Sequence, residues 1–86
     1  MKEIEIGYVD DYFNKIGVVA IKVEKEGISV GDTLRFKGHT TDFNQRIDSM
    51  QIEHETVQTA GVGANVGIKV KERVRKHDHV YKIMED

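Results

Sequence analysis

Two stretches decide the fold of this chain: VGDTLRFKG at residues 30–38 and AGVGANVG at residues 60–67. In each, glycine and small polar residues precede a run in which apolar and polar side chains alternate. Alternation with a period of two is typical of a half-buried β-strand, and glycine supplies the positive φ that many tight turns need. We therefore predict a turn and a strand at both places. Gly31 is expected to have a positive φ, and Gly67 is expected to lie inside a strand where another backbone approaches closely.

The same period of two runs through the rest of the chain. Further apolar residues alternate with polar or smaller ones in several runs, namely Ile4 to Tyr8, Val19 to Val23, Phe43 to Ile47, Met50 to Ile52, Val66 to Val70 and Val80 to Met84. Residues 71–77 contain good helix formers, but the alternation of Lys69, Lys71, Arg73 and Arg75 favours a strand that bends into a loop. Six or seven short strands predict an all-β barrel or sandwich. Because the chain has no proline to protect strand edges, we favour a small, closed, Greek-key-like barrel that forms a single domain over residues 1–86.

Composition limits the kind of protein. With 86 residues the chain is long enough for one core, and it has no cysteine for a disulfide, a thiolate metal site or a cysteine nucleophile. Charged residues make up 33% of the chain, with both signs mixed and a net charge of −2, which argues against disorder. The first residues lack the apolar run of a signal peptide, and no stretch is apolar enough to span a membrane. We expect a soluble, cytoplasmic protein that does not bind a membrane.

The motifs of common enzymes are missing from the sequence. It contains no phosphate-binding loop, so we expect no nucleotide and no other cofactor to bind. The glycines at 61, 63 and 67 precede a strand, whereas a dinucleotide site needs a helix there. Neither Ser29 nor Ser49 lies in a nucleophile elbow. We predict that the chain is not an enzyme and has no catalytic residues.

Histidines offer one weak metal motif. His77 and His79 lie on one side of an extended segment, and His39 or His54 could act as a third ligand. No spacing fixes that third ligand, and such a pair in a charged segment is more often solvated. We therefore predict no metal site.

Basic residues near the end of the sequence are the better functional candidates. Strand alternation would project four of them from one face, and a fifth follows, so the RNA-binding hypothesis rests on Lys69, Lys71, Arg73, Arg75 and Lys76. Phosphate neutralisation requires such a cluster. The alternative is that these side chains form a solvated strand face paired with acidic neighbours. Acidic residues predominate at the other end of the sequence, where Glu3, Glu5, Asp10 and Asp11 accompany Lys2.

Several motifs occur in the order found in a known family. They are Ile6-Gly7-Tyr8-Val9, Gly17-Val18-Val19-Ala20, Val30-Gly31-Asp32, Ile47-Asp48-Ser49-Met50-Gln51-Ile52 and the stretch Ala60 to Gly67. In this the chain resembles the second domain of translation elongation factors such as elongation factor Tu. The resemblance implies a stand-alone barrel of that type, which in those factors contacts tRNA or the ribosome. It also implies that the positions matching the tRNA-contacting groove are Gln51, His54 and Asn65, of which only Asn65 keeps the family residue.

A second resemblance involves Tyr12 to Val18 and Thr40 to Phe43. These segments are similar to the C-terminal barrel of collagenase-like peptidase and RNA-hydroxylation proteins. The sequence thus leaves two functional interpretations. The chain is a noncatalytic binding module that contacts RNA or a ribosome-associated factor, or it is a protein-interaction adaptor for a separately encoded enzyme of the peptidase or RNA-modifying kind.

Overall fold

Alternating side chains fold into strands throughout the computed structural model, which describes residues 2–84 and contains no helix among them. The ten strands are β1 (Lys2–Phe13), β2 (Val18–Val23), β3 (Ile28–Ser29), β4 (Thr33–Lys37), β5 (Asp42–Arg46), β6 (Met50–Ile52), β7 (Glu55–Val57), β8 (Thr59–Ala60), β9 (Asn65–Lys69) and β10 (His79–Met84). The predicted all-β class is confirmed. No helix within residues 2–84 has the length and apolar character needed to cross a membrane.

Eight of the strands form one antiparallel sheet in the order β5-β4-β10-β1-β2-β9-β6-β7, and β3 pairs with β8 separately. The predicted closed barrel is wrong, because β5 and β7 stand at opposite edges of this sheet and no ladder joins them among the described residues. The carboxamide of Gln45 on β5 instead contacts the end of β9 by hydrogen bonds to the backbone of Lys69 and Lys71. The sheet is therefore curled, with β5 linked to the end of β9 by this side chain, while the short β3–β8 pair links the segment before β4 to the segment after β7.

The predicted number of six or seven strands is also too low. The strands that sequence periodicity did not show are two or three residues long, namely β3, β7 and β8. Alternation needs about four residues to be recognised, so such short pairings leave no period in the sequence. One of their turns is unusual, since the β6–β7 hairpin has positive φ at Glu53 and His54, where glycine or asparagine is the usual choice.

Sixteen apolar side chains, each no more than 7% exposed, form one core cluster. The inward residues of β2 (Val19, Ile21 and Val23), of β4 (Leu34 and Phe36) and of β9 (Val66 and Ile68) alternate with less buried neighbours, as predicted. Phe36 stacks on Phe43 of the adjacent strand, with ring centroids 5.1 Å apart.

Strand β1 departs from the simple alternation. Its register shifts between Glu5 and Gly7 against β10, and again between Val9 and Asp11 against β2. A bulge adds one residue to a strand and reverses the side on which the following side chains lie. As a result Ile6 and Val9 are buried, whereas Tyr8, predicted on the same face as Ile6, is only half-buried.

The two glycine predictions had different outcomes. Gly31 has a φ of 98°, so its predicted positive φ is confirmed. Gly67 lies inside β9, as predicted, but the close backbone expected there is not found. A Cβ there would lie 3.5 Å from the Val18 side chain and 3.8 Å from the Gln51 carbonyl oxygen, which are ordinary contacts.

Candidate interaction surface

Three connections meet at one end of the sheet: the β1–β2 turn (residues 14–17), the β4–β5 turn (residues 38–41) and the long loop of residues 70–78. The loop begins beside the first turn, where the Val70 amide donates to the Gly17 carbonyl at 2.9 Å. It ends beside the second, where the Asp78 carboxylate occupies the space that a side chain at Gly38 would need. We call this surface, made of the two turns and the loop, the loop end.

Buried anchors hold the loop across the sheet. Val70 and Val74 join the core at 7% and 1% exposure. Asp78 is 6% exposed, and its carboxylate accepts a hydrogen bond from the Arg75 amide at 2.9 Å. The backbone around Asp78 is also tied to Val9 of β1, by two hydrogen bonds of 2.8 Å. The residues between these anchors are left exposed on a fixed loop.

The five basic residues predicted to bind RNA all lie on or beside this loop, and all are exposed: Lys69, Lys71, Arg73, Arg75 and Lys76. Lys69 ends β9, and the other four belong to the loop. The expectation that four of them share one strand face is wrong, because the alternation ends at Val70 and the next buried side chain is Val74, four residues on. The ion pairs within residues 2–84 include none of the five, so the structure does not show the alternative in which acidic neighbours pair with them.

Apolar side chains lie at the same end. Phe13 and Ile16, at the β1–β2 turn, are 48% and 62% exposed. Sequence reasoning placed Ile16 in a turn and did not name it as a site residue. The available signal was an isoleucine inside the turn Asn14-Lys15-Ile16-Gly17, where polar residues are usual. The loop end thus combines exposed cations with exposed apolar side chains, which is an arrangement suited to binding a macromolecule.

The three predicted groove positions are not brought together by any side-chain hydrogen bond between described residues. Gln51 is exposed on β6, opposite Gly67 of β9. His54 occupies the tight β6–β7 turn with a φ of 68°. Asn65 donates from its amide to the Asp10 carboxylate at 2.8 Å.

The His77 and His79 pair borders a shallow depression of about 340 Å³, lined in addition by Glu5, Gly7, Tyr8, Glu24 and Lys25. Nδ1 of His79 lies 2.6 Å from the Glu5 carboxylate, which also accepts a 2.7 Å hydrogen bond from Lys25. Lys25, and then His79, lower the pKa of Glu5, and Glu5 in turn raises the pKa of Lys25. No group of three or more potential ligand side chains within residues 2–84 is arranged to hold a metal ion.

The acidic residues near the start of the sequence are engaged within the sheet. Arg35 on β4 donates two hydrogen bonds of 2.9 Å to Asp42 and reaches Glu3 on β1 at 2.9 Å. These bonds, the stronger effect coming from Asp42, raise the pKa of Arg35, and Arg35 lowers the pKa of Asp42. Glu5 and Asp10 have the partners described above. Acidic groups therefore stabilise strand neighbours, whereas the cations of the loop end face outward.

Comparison with known proteins relates the chain to parts of longer ones. No protein-family model matches it. It is 36% identical over 85 residues to an uncharacterised protease of Methanocaldococcus jannaschii and 32% identical over 82 residues to a collagenase of Porphyromonas gingivalis. These alignments cover 98% and 94% of the chain, but only 21% and 20% of the two relatives. The chain thus spans about a fifth of the length of the curated relatives that it matches.

Solved structures show the same fold. Two crystal structures of the C-terminal domain of a Geobacillus thermoleovorans protein, provisionally classed as a U32 peptidase, superimpose with TM-scores of 0.85 and 0.82, each at 22% identity. The superpositions cover 95% and 88% of this chain, and 93% and 95% of those domains. The resemblance to the C-terminal domain of collagenase-like peptidases is therefore supported by sequence and by fold. The chain has the fold of that C-terminal domain and is similar in sequence to one part of protease-type and collagenase-type proteins.

Proposed function

We propose that the chain is a noncatalytic interaction module that serves a peptidase-type catalytic unit and docks on it through the loop end. The observation that carries this proposal is the pattern of similarity, in which nearly the whole chain aligns with about a fifth of each longer relative. A segment that also occurs as one part of longer proteins is expected to have a surface suited to contact the remainder. The exposed apolar side chains of Phe13 and Ile16, at the same end of the sheet as the basic loop, provide such a surface.

The physical basis is the burial of apolar area. Fully burying a large apolar side chain contributes about 1.5–3 kcal/mol. Phe13 and Ile16 are 48% and 62% exposed, so both can still lose water on docking. The lysines and arginines of the loop would favour a partner with an acidic rim, because complementary charge raises the rate of encounter and disfavours wrong partners.

The test uses the Methanocaldococcus jannaschii relative with the segment that matches this chain deleted. We expect this chain to bind the truncated protein in size-exclusion chromatography and calorimetry. The double variant F13S/I16S should bind at least about tenfold more weakly, as expected for the loss of about 1.4 kcal/mol or more. The matched control is V62S, since Val62 is 63% exposed in the turn before β9, away from the loop end. Failure of the unmodified chain to bind, or equal loss in both variants, would refute docking through the loop end.

A second candidate function is contact with RNA, and the observation that favours it is the exposure of the five predicted basic residues on one fixed loop and its margin. The resemblance to the second domain of elongation factors points the same way. In the fourfold variant K71Q/R73Q/R75Q/K76Q, affinity for an RNA hairpin should fall. The slope of log affinity against log salt should shrink by about 0.7–0.9 for each phosphate that the variant no longer neutralises.

The matched control for the RNA test is K2Q/R46Q, which removes two exposed cations outside the loop end. An unchanged salt slope in the fourfold variant would exclude phosphate contact by these residues. An equal change per charge in the control would mean that only net charge matters.

A further inference from the structure

The Gln45 carboxamide makes the pair of hydrogen bonds that a residue of a neighbouring β-strand would make. Its Nε2 donates to the Lys69 carbonyl oxygen at 2.6 Å, and its Oε1 accepts from the Lys71 amide at 2.8 Å. In a parallel ladder one residue bonds in this way to the two residues that flank its neighbour, here Val70. One side-chain amide thus takes the place of a strand residue beside Val70.

The backbone groups that Gln45 satisfies belong to an edge without a strand. The Val70 amide donates to Gly17 on the β2 side, so the Lys69 carbonyl and the Lys71 amide point the opposite way. Strand β6 pairs with this outer edge of β9 only at Gly67. Beyond Gly67, within the described residues, Gln45 is the group that covers the edge. We call the opening between β5 and Lys69–Lys71 the seam.

The seam has space and a positive charge. A depression of about 290 Å³ opens there, lined by Gln45, Asp48, Ser49, Lys69, Val70 and Lys71. Of these lining residues, Lys69 and Lys71 are exposed. Asp48 is the one carboxylate among the lining residues. Two cations against one anion favour an acidic occupant.

We propose that the seam binds an extended, acidic peptide segment of a partner polypeptide by β-strand addition, with displacement of the Gln45 carboxamide. One residue of the incoming strand donates to Lys69 and accepts from Lys71, and acidic side chains on either side of it face Lys69 and Lys71. Strand addition to a free edge obtains affinity from backbone hydrogen bonds and selectivity from side chains. This proposal rests on the proposed role as a protein-interaction module, and it names the chemistry of a partner segment.

Gln45 then competes with the peptide for the same backbone groups. Removing its side chain should therefore strengthen peptide binding rather than weaken it. The probe is the blocked peptide Ac-Glu-Val-Glu-Val-Glu-NH2, titrated into the isotope-labelled full chain and followed by NMR. We expect shifts at the amides of residues 69–71 and at the Gln45 side-chain amide. The Q45A variant should bind the peptide about three- to tenfold more tightly, because it removes competing bonds of modest net strength. The Q45E variant, whose carboxylate cannot donate to Lys69, should shift affinity in the same direction if it stays folded, but by less because its charge repels the probe.

Two control peptides separate strand addition from attraction of charge. Ac-Glu-Val-Pro-Val-Glu-NH2 lacks the central N–H and one central charge, while Ac-Glu-Val-Gln-Val-Glu-NH2 lacks only that charge. We expect the proline peptide to bind at least about fivefold more weakly than the glutamine peptide. Equal binding of these two peptides, weaker binding to Q45A than to the unmodified chain, or no binding to either protein would overturn the proposal. Peptide binding at the seam without binding of the truncated protease relative would leave this proposal standing and remove the docking proposal, so the two failures are distinguishable.

Discussion

Replacing Gly7 with alanine is expected to destabilise the fold strongly, because backbone occupies the space that a Cβ would need. Gly7 is buried on β1 opposite Val23 of β2. A Cβ built on Gly7 overlaps the carbonyl oxygen of Lys22 and lies 3.0 Å from its carbonyl carbon. A carbonyl held in a ladder cannot rotate away as the end of a side chain can. Overpacking costs about 1–3 kcal/mol, and a rigid neighbour places Gly7→Ala near the upper value.

The effect is large enough to measure by calorimetry or urea unfolding. In a domain of this size about 1 kcal/mol shifts the melting temperature by about 4–8 °C, so a cost of about 3 kcal/mol predicts a fall of roughly 12–24 °C. The matched control is Gly67→Ala, where the nearest atom to a new Cβ is Val18 Cγ1 at 3.5 Å. That variant should change stability by less than about 1 kcal/mol, since alanine also restricts the unfolded chain. This account of the β1–β2 contact is refuted if Gly7→Ala melts at the same temperature as the unmodified chain. It is also refuted if Gly67→Ala lowers the melting temperature as much as Gly7→Ala does.

Three further predictions concern the turns, the loop and the surface ion pairs. Gly31→Val should cost about 1–3 kcal/mol in urea unfolding, because a φ of 98° strains a β-branched residue, and an unchanged midpoint would contradict this. Val74→Ala should cost about 1–2 kcal/mol, since the side chain is 1% exposed in the core, and a cost near zero would mean that the loop is not anchored there. The pKa values of Glu5 and Asp42 are lowered in the folded chain, so their contribution is present above the ordinary values of 4.5 and 3.8 and is lost as the pH falls through the lowered values. Urea unfolding between pH 6 and pH 3 should show this loss, and the double variant E5Q/D42N should show a smaller one.

Where one face of a strand is buried over five or six residues, the sequence predicts the structure well. Val18–Val23, Thr33–Lys37 and Asn65–Lys69 are strands whose inward residues follow from alternation alone. Burial on one face leaves a regular trace because successive side chains point to opposite sides. The all-β class followed from several such runs.

Other features leave no period to recognise. The bulges of β1 shift its register, so a residue such as Tyr8 loses the face that counting assigns to it. The β6–β7 turn is formed by Glu53 and His54, which carry none of the usual turn signals. The crowding at Gly7 depends on the position of Lys22 in another strand, and nothing local to Gly7 reveals it.

The candidate surface was predictable in composition but not in shape. The cations from Lys69 to Lys76 are exposed as expected, because nothing in their pattern required burial. The loop that carries these cations lies at the same end as Phe13 and Ile16 because the Val70 amide is hydrogen-bonded to Gly17. That is a long-range contact, which the sequence does not show. The role of Gln45 was likewise invisible, since a glutamine in a polar strand indicates only a solvated side chain.

The seam and the exposed basic loop have a common origin at Val70, where the chain leaves the ladder of β9. Had the strand continued to Arg75, as the alternation of cations predicts, there would be no loop across the end of the sheet. The cations would then have projected from one face of that strand. Instead Val74 enters the core and the Asp78 carboxylate binds the Arg75 amide, so the chain crosses the end of the sheet. The backbone edge at Lys69 and Lys71 is hydrogen-bonded by the Gln45 side-chain amide. The seam therefore forms at the point where the chain leaves β9 to become the exposed loop.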